Sequence, residues 1–299
     1  MKRTWEQSLF IAVFLTPAFL LFTVFVAVPG ARALLYSLQK WDGLSKPEWV
    51  GLSNFAALFR DDLFRIALGH NVFLTVTAGS ATILLALFFA AVLHRRVRGS
   101  AIFRVAFFFP NVIASVAVAL LWLLLYSTTD FGVLNGFLAW MKETVDWPAV
   151  SLPIPFTGKP YLVYSVVPML VWTATGFYMV LFLAAMEGIP ESFYEVAELE
   201  GVSPFGQFWH ITLPLIREVV VVGVVFLVIG SLKLFEAIWI MDNEWPSKET
   251  HVMATLLYQK VFSEYNVGYG SAVAVLMFVL VFVATLATLR FSRREALEY

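Results

Sequence analysis

Of the 299 residues, 60% are hydrophobic and 14% are charged, and the net charge is −1 at pH 7. Soluble domains are roughly half apolar and about a quarter charged, so this composition indicates a membrane protein. A net charge near zero gives no sign of a nucleic-acid-binding protein. The chain contains no cysteine, which excludes disulfides and thiol chemistry, and its four histidines are too scattered to predict a metal site.

The first apolar segment spans about residues 9–28 and follows the basic residues Lys2 and Arg3. A signal peptide is the alternative, but its apolar region has only about 7–15 residues and ends at a small-residue cleavage site. This segment has the roughly 20 residues that a membrane span needs, and Ala31-Arg32-Ala33 is a poor cleavage site. We therefore predict an uncleaved first transmembrane helix.

Five further apolar segments predict transmembrane helices. They span about residues 71–93, 106–126, 161–186, 216–240 and 268–289. The predicted fold class is all-α: one polytopic membrane domain, residues 1–299, with six transmembrane helices. In the third segment, Pro110 and Asn111 predict a kink and a polar contact, either with a neighbouring helix or with a substrate. Four prolines exclude one long helix between residues 127 and 160.

Basic residues indicate the orientation of the bundle. They cluster at Lys2 and Arg3, between Arg95 and Arg104, and at residues 290–294. Short cytoplasmic segments are enriched in Lys and Arg, so we predict that the N-terminus lies in the cytoplasm. Six helices return the C-terminus to the cytoplasm and place the loop of residues 187–214 there as well.

The cytoplasmic loop is acidic, with five glutamates and no Lys or Arg. Since basic residues are expected on this side, their absence indicates a partner that carries Lys or Arg. Pro190 at a first helical position and Gly201 as a stop predict one short helix. A second is predicted from Ser203 as its cap, with Pro204 as its first residue and Pro214 as its end.

The residue spacing in this loop resembles a family motif. Glu195-Val196-Ala197, three residues, Gly201, nine residues and Ile211-Thr212-Leu213-Pro214 resemble the "EAA…G…I-x-LP" loop of the membrane subunits of ABC-type importers. Val196 stands where that family usually has Ala. The resemblance implies a loop that docks on an ATPase subunit, and an ordinary amphipathic loop is the alternative. The docking residues that it implies are Glu195, Ala197, Glu198, Gly201, Ile211, Leu213 and Pro214.

Two other stretches resemble sugar-importer permeases. Residues 49–55, Trp-Val-Gly-Leu-Ser-Asn-Phe, resemble part of the first external loop of those proteins. Residues 235–242 resemble the pattern Phe-Asp-x-Ile-x-x-Met-Thr, with Glu236 in place of Asp or Asn and Asp242 in place of Thr. The chain is thus similar to permeases of the maltose and glycerol-phosphate uptake type.

This resemblance implies partners and a location. It implies a second homologous permease that forms a heterodimer with this chain, two cytoplasmic ATPase subunits and an extracytoplasmic solute-binding protein. The complex would lie in the inner (cytoplasmic) membrane of a bacterium or archaeon, surrounded by lipid. ATP and Mg²⁺ would bind the ATPase subunits, so this chain is expected to carry no cofactor and to be no enzyme.

The sequence itself agrees that ATP hydrolysis belongs to another polypeptide. The pair Gly158-Lys159 is followed by Pro160, and Pro153 stands where a phosphate-binding loop needs glycine. His-Glu-x-x-His and Gly-x-Ser-x-Gly motifs are absent as well.

Polar and aromatic side chains within the predicted spans are candidates for a substrate cavity. Lys233 and Glu236 lie three residues apart, so in one helix they would share a face. They form either an ion pair near the interface, with a snorkelling lysine, or a polar wall of the cavity. Arg217 lies at the very start of the fifth predicted span, so Lys233 is the one cation further inside a span, and we expect neutral saccharides rather than phosphorylated solutes. The candidates are Asn111, Ser115, Trp172, Tyr178, Ser231, Lys233 and Glu236.

Two other function classes remain open at this point. An ion-coupled secondary transporter could use Lys233 and Glu236, but the sequence shows no internal repeat with paired broken helices. An intramembrane enzyme would need a Ser/His, Asp/Asp or metal constellation at membrane depth, and none is visible.

Overall fold

The computed structural model describes residues 5–95, 99–129, 131–145, 151–243 and 245–292. Within these residues the chain is helical, apart from a two-stranded antiparallel sheet. Some residues used in the predictions above lie outside this part of the chain: Lys2, Arg3, Arg96, Arg98, Pro148, Arg293 and Arg294.

Fifteen α-helices and two strands are defined as follows. The helices are α1 (Trp5–Phe22), α2 (Val28–Ser37), α3 (Ser53–Arg60), α4 (Asp62–His94), α5 (Ser100–Val112), α6 (Ser115–Leu125), α7 (Val133–Val145), α8 (Leu162–Glu187), α9 (Ser192–Leu199), α10 (Pro204–Gln207), α11 (Leu213–Leu215), α12 (Arg217–Leu232), α13 (Glu236–Met241), α14 (Met253–Tyr258) and α15 (Val267–Ser292). The strands are β1 (Gln39–Lys40) and β2 (Glu48–Trp49), and π-helical turns occupy Thr23–Ala27, Phe208–Thr212 and Gln259–Ser263.

The chain divides into two compact units. The first consists of residues 1–64 and 256–279, and the second of residues 65–255 and 280–299. Helices α4 and α15 each run from one unit into the other.

The first unit contains the N-terminal apolar helix and the sheet. The helix is continuous over Leu9–Ser37, and none of its most apolar window is buried within the chain. The helix thus continues nine residues beyond the end of the predicted first span at Val28. Pro29 lies in the first turn of α2, which follows the π-helical turn Thr23–Ala27. The wider π-helical turn accommodates the proline ring and the absence of a backbone N–H.

A loop with two hydrogen-bonded anchors follows α2. The side-chain amide of Asn54 donates to the carbonyls of Ser37 and Gln39 at 2.9 and 2.8 Å. At the tip, the backbone N–H groups of Ser45 and Leu44 donate to the carboxylate of Asp42 and lower its pKa to about 2. The loop is thus ordered by its own polar groups, outside the apolar helices.

The second unit is built around α8. Eleven of the 26 residues of α8 are buried, and they contribute to two apolar clusters. One cluster joins α8 to α6 and α13, and the other joins α8 to α4 and to Ile216 at the start of α12. Between membrane helices, close van der Waals packing in such clusters, rather than removal of apolar surface from water, favours association.

A glycine sets the distance between α5 and α8. A Cβ atom added at Gly176 would lie 1.9 Å from the carbonyl oxygen of Phe107 and 2.8 Å from Cα of Phe108. Only a residue without a side chain lets two backbones approach so closely.

Among the described residues, four helices are long and apolar enough to cross a membrane, or up to six if each bent pair is one span. The four are Leu9–Ser37, Asp62–His94, Leu162–Glu187 and Val267–Arg290. The helices α5 and α6 form one bent pair, at 96°, and the segment Pro204–Leu215 with α12 forms the other, at 71°. The chain is therefore a polytopic helical membrane protein.

Two predicted spans are broken. The predicted kink in the third is confirmed, but it lies at Ile113 and Ala114, which are both extended, and not at Pro110. The fifth was predicted to run to residue 240, but α12 ends at Leu232. A separate helix, α13, begins at Glu236.

Candidate functional site: the acidic loop between α8 and α12

The first helix of the acidic loop, α9, ends in a hydrogen-bonded cap around Gly201. The N–H of Gly201 donates to the carbonyl of Glu198 at 3.0 Å, and the N–H of Val202 donates to the carbonyl of Ala197 at 2.9 Å. This pair of bonds is a Schellman motif, which places a left-handed residue after the helix. Gly201 has φ +73°, a conformation that glycine adopts without strain. The predicted stop at Gly201 is confirmed.

The next helix, α10, begins as predicted. Ser203 is extended, and its hydroxyl oxygen accepts a hydrogen bond from the N–H of Gly206 at 3.3 Å. Pro204 is the first helical residue, where its missing N–H leaves no bond unmade. The linker between the two helices is thus short and fixed by its own hydrogen bonds.

Both outer ends of this helix pair differ from the prediction. The helix α9 begins at Ser192, with Glu191 as its N-cap, rather than at Pro190. Pro214 does not end the second helix, because it lies inside α11 after the π-helical turn Phe208–Thr212. The wider turn accommodates the proline, and the chain changes direction at Ile216 instead.

Part of the predicted motif faces the protein interior. Ala197 is buried, and Ile211 and Leu213 are half-buried. The hydroxyls of Tyr194 and Thr212 lie 3.0 Å apart and join α9 to the following helical segment. These contacts pack α9 against the segment that leads into α12.

The other side of the loop is exposed, and we call it the docking face. Two of its acidic residues, Glu195 and Glu198, are among the docking residues that the sequence predicted, whereas its apolar residues are not. Leu199 is 88% exposed and Phe205 is 73% exposed. The docking face consists of Glu195, Val196, Glu198, Leu199, Glu200, Phe205 and Trp209.

The sequence does contain a signal for these apolar residues. Leu199 follows Glu195 by four residues, so in one helix it shares a face with that carboxylate. Contiguous exposed apolar residues with a charged rim are typical of a protein-binding surface. The docking face thus has the composition of an interface that a partner covers.

An ion pair ties the loop to the bent pair. A guanidinium nitrogen (Nη2) of Arg104, on α5, lies 2.6 Å from Oε1 of Glu187, the last residue of α8. Beside this pair is a cleft of about 650 Å³ between the loop and the ends of α4, α5 and α8. Its lining includes Arg95, Glu191 and Tyr194. The ion pair thereby joins α5 to the end of α8, where the acidic loop begins.

The strength of the Arg104–Glu187 pair can be measured by a double-mutant cycle. Both side chains are partly exposed, so we expect a coupling energy of only about 0.2–1 kcal/mol in thermal or denaturant unfolding. Arg104→Glu alone should lower stability, and Arg104→Glu combined with Glu187→Arg should restore it. A combined variant less stable than the sum of the two single changes would contradict the pairing.

The predicted cavity residues on the third and fourth spans are not brought together. Asn111 and Ser115 are exposed and flank the break between α5 and α6. Trp172 is half exposed, with its ring centroid 6.3 Å from that of Trp122. Tyr178 is buried beside Phe182 in the α4–α8 cluster, and this placement favours a packing role.

The candidates on the fifth span lie at a break. The hydroxyl of Ser231 is 2.6 Å from the hydroxyl of Thr75 on α4. Lys233 caps α12 and Glu236 starts α13, and both are exposed. The prediction that they share one helical face was wrong, because the helix ends between them. Among the residues that the structure describes, no ion pair joins Lys233 to Glu236.

The described ranges of the chain contain no group of three or more His, Asp or Glu residues that could hold a metal ion.

Comparison with protein families decides what kind of molecule carries this loop. Residues 82–296 match the family described as the binding-protein-dependent transport system inner membrane component. The chain belongs to this family. It is a permease, a membrane subunit of a transport system rather than an enzyme.

Two relatives align with nearly all of the permease. The diacetylchitobiose uptake system permease protein of Streptomyces coelicolor is 31% identical over 303 residues, which cover 95% of this chain and 82% of that protein. The lactose transport system permease protein of Rhizobium radiobacter is 29% identical over 285 residues, which cover 93% and 92%.

A solved structure shares the fold of the permease. A chain of a bacterial alginate ABC transporter, crystallised in complex with an alginate pentasaccharide-bound periplasmic protein, superimposes with a TM-score of 0.79. The match covers 99% of each chain at 22% identity. At this identity the similarity establishes the fold alone.

Proposed function

We propose that this permease is one of two membrane subunits of an ATP-driven importer, and that its docking face binds the ATPase subunit. The observation that carries this proposal is the exposed acidic and apolar face of α9 and α10 in a chain that belongs to a binding-protein-dependent transport family. The predicted six spans place this face and both termini in the cytoplasm. We expect a basic surface on the ATPase, since glutamates surround the apolar residues.

The proposed mechanism is alternating access driven from the loop. When two ATPase subunits close on ATP and Mg²⁺, they would push together the docking faces of this permease and of a second, homologous permease. The Schellman cap, the Tyr194–Thr212 contact and the Arg104–Glu187 ion pair make the loop rigid and connect it to α5, α8 and α12. A small displacement of a rigid helix pair then tilts the attached spans.

We propose a carbohydrate as the solute, delivered by an extracytoplasmic binding protein. The support is the similarity to permeases named for diacetylchitobiose and lactose uptake. A neutral saccharide is favoured, because Lys233 is the one cation among the seven candidate cavity residues. The remaining polar candidates, Asn111, Ser115 and Ser231, could hydrogen-bond hydroxyls, while Trp172 could stack on a sugar ring.

Reconstitution tests the proposed function. The complex and its binding protein would be purified, and the complex would be placed in vesicles of bacterial membrane lipid. ATP would be supplied on the side of the docking face. Uptake of radiolabelled lactose, diacetylchitobiose and a phosphorylated sugar would be followed. We expect uptake of at least one neutral saccharide only with hydrolysable ATP. Uptake that follows a proton or sodium gradient without ATP would contradict the proposal and point to an ion-coupled carrier.

A further inference from the structure

Asn71 joins three separate segments of the second unit. It lies on α4, about 35 Å along the helix from His94 next to the acidic loop, by the rise per residue of an α-helix. Its side chain is fully buried. The amide nitrogen donates to the carbonyl of Ser231 at 2.8 Å. The amide oxygen accepts from the backbone N–H of Met253, also at 2.8 Å.

The two partners of Asn71 are groups that a helix end leaves unsatisfied. The carbonyl of Ser231 belongs to the last turn of α12, and the N–H of Met253 belongs to the first turn of α14. Terminal groups of this kind need partners from elsewhere when they are buried. One amide on α4 thus caps the end of one helix and the start of another.

The contact with Ser231 also replaces a bond that would prolong α12. In an uninterrupted α-helix the carbonyl of residue 231 would accept from the N–H of residue 235. Here it accepts from Asn71 and, at 3.3 Å, from the N–H of Leu234. Asn71 therefore supplies a donor to a carbonyl at the end of α12, which lowers the free-energy cost of ending the helix there.

Neighbouring residues on α4 reinforce the same attachment. The Thr75 hydroxyl lies 2.7 Å from the carbonyl of Asn71 and 2.6 Å from the Ser231 hydroxyl. Since a hydroxyl has one proton, Thr75 donates to the carbonyl and accepts from Ser231. On the other side, Nδ1 of His70 donates to the carbonyl of His251 at 2.8 Å.

We propose that Asn71 is a positioning residue that holds the break between α12 and α13 and so fixes Lys233 and Glu236. These two exposed charged residues lie in or beside the break that Asn71 and Thr75 anchor. A role for this break in solute passage rests on the proposed function. The two hydrogen bonds of Asn71 to Ser231 and Met253, which we call the clamp, lie within this chain. They can be tested without solute, ATP or partners.

Hydrogen exchange of the full chain in lipid nanodiscs separates the two bonds of Asn71. Asn71→Asp keeps an oxygen for the N–H of Met253, and in its ionised form it cannot donate to the carbonyl of Ser231. Because burial favours the protonated carboxyl, exchange is compared with the unmodified chain over a series of rising pH values. We expect amides 233 and 234 to exchange at least tenfold faster, with Met253 still protected. Asn71→Leu removes both bonds, so Met253 should lose protection as well. The control is Thr77→Val, which removes only a bond to the carbonyl of Phe73 on the same helix.

The outcome decides the proposal in either direction. If Asn71→Asp leaves the exchange of amides 233 and 234 within twofold of the unmodified chain, Asn71 does not hold the break. This result can be read from the aspartate variant even if Asn71→Leu does not fold. With the clamp confirmed, ATP-driven uptake should fall about tenfold in Asn71→Asp, while the ATPase stays bound. Unchanged uptake would refute the role in transport and leave the proposed function intact.

Discussion

Replacing Leu199 and Phe205 together by serine is expected to weaken the binding of the ATPase subunit by about 10- to 100-fold. Each side chain is largely exposed in the isolated permease, and full burial of a Leu or Phe stabilises by about 1.5–3 kcal/mol. Losing half of the summed stabilisation raises the dissociation constant by about one to two orders of magnitude. The measurement is a titration of purified ATPase subunit onto the permease in nanodiscs.

The chain offers a matched control for this variant. Leu44 and Phe131 are exposed to 89% and 85%, close to the values of Leu199 and Phe205, but lie far from the acidic loop in sequence. Leu44→Ser with Phe131→Ser should leave ATPase binding within twofold of the unmodified permease. An equal loss of affinity in both variants would mean that the docking face has no special role.

Gly176→Ala is expected to cost about 3 kcal/mol of stability and to lower the melting temperature by about 6–12 °C. The new Cβ would overlap the backbone of α5, at 1.9 Å from the carbonyl oxygen of Phe107. Backbone atoms cannot rotate away as a side chain can, so α5 and α8 must separate. Thermal unfolding of the permease in detergent, followed by the fluorescence of its tryptophans, would measure the shift.

Gly69→Ala is the control for this substitution. Gly69 also lies in a long helix, α4, and a Cβ there would meet no atom within 4 Å. Because alanine favours helix over glycine by about 1 kcal/mol, this control should leave the melting temperature unchanged or raise it. A melting temperature of Gly176→Ala within 2 °C of the unmodified chain would show that the helices are not so closely packed.

The chain's local chemistry predicted much of the acidic loop. Gly201 ends α9 and Ser203 caps α10 because these features depend on residues within a few positions of each other. Helix composition likewise predicted the polytopic fold. The start of α9 differed by two residues. The end of α11 lies one residue beyond Pro214, since the preceding π-helical turn accommodates a proline that would otherwise end a helix.

The positions of helix breaks and the contacts between residues far apart in the chain could not be predicted from local sequence patterns. Proline suggested a kink at Pro110, but the bend lies at Ile113 and Ala114, where no residue type signals it. At the end of α12, the carbonyl of Ser231 accepts a hydrogen bond from Asn71, 160 positions away. The Arg104–Glu187 ion pair joins residues 83 positions apart. Sequence spacing cannot show such contacts, because they form only after the helices pack.

The most direct test of the account is a purification from native membranes in mild detergent. The unmodified permease would be compared with a variant that combines Glu195→Lys, which reverses a charge of the docking face, and Gly201→Pro, which is incompatible with φ +73°. We predict that an ATPase and a second permease accompany the unmodified chain, and that the variant retains the second permease but loses the ATPase. An unmodified permease that emerges without an ATPase, or a variant that keeps it, would contradict the assignment of the acidic loop as the docking site.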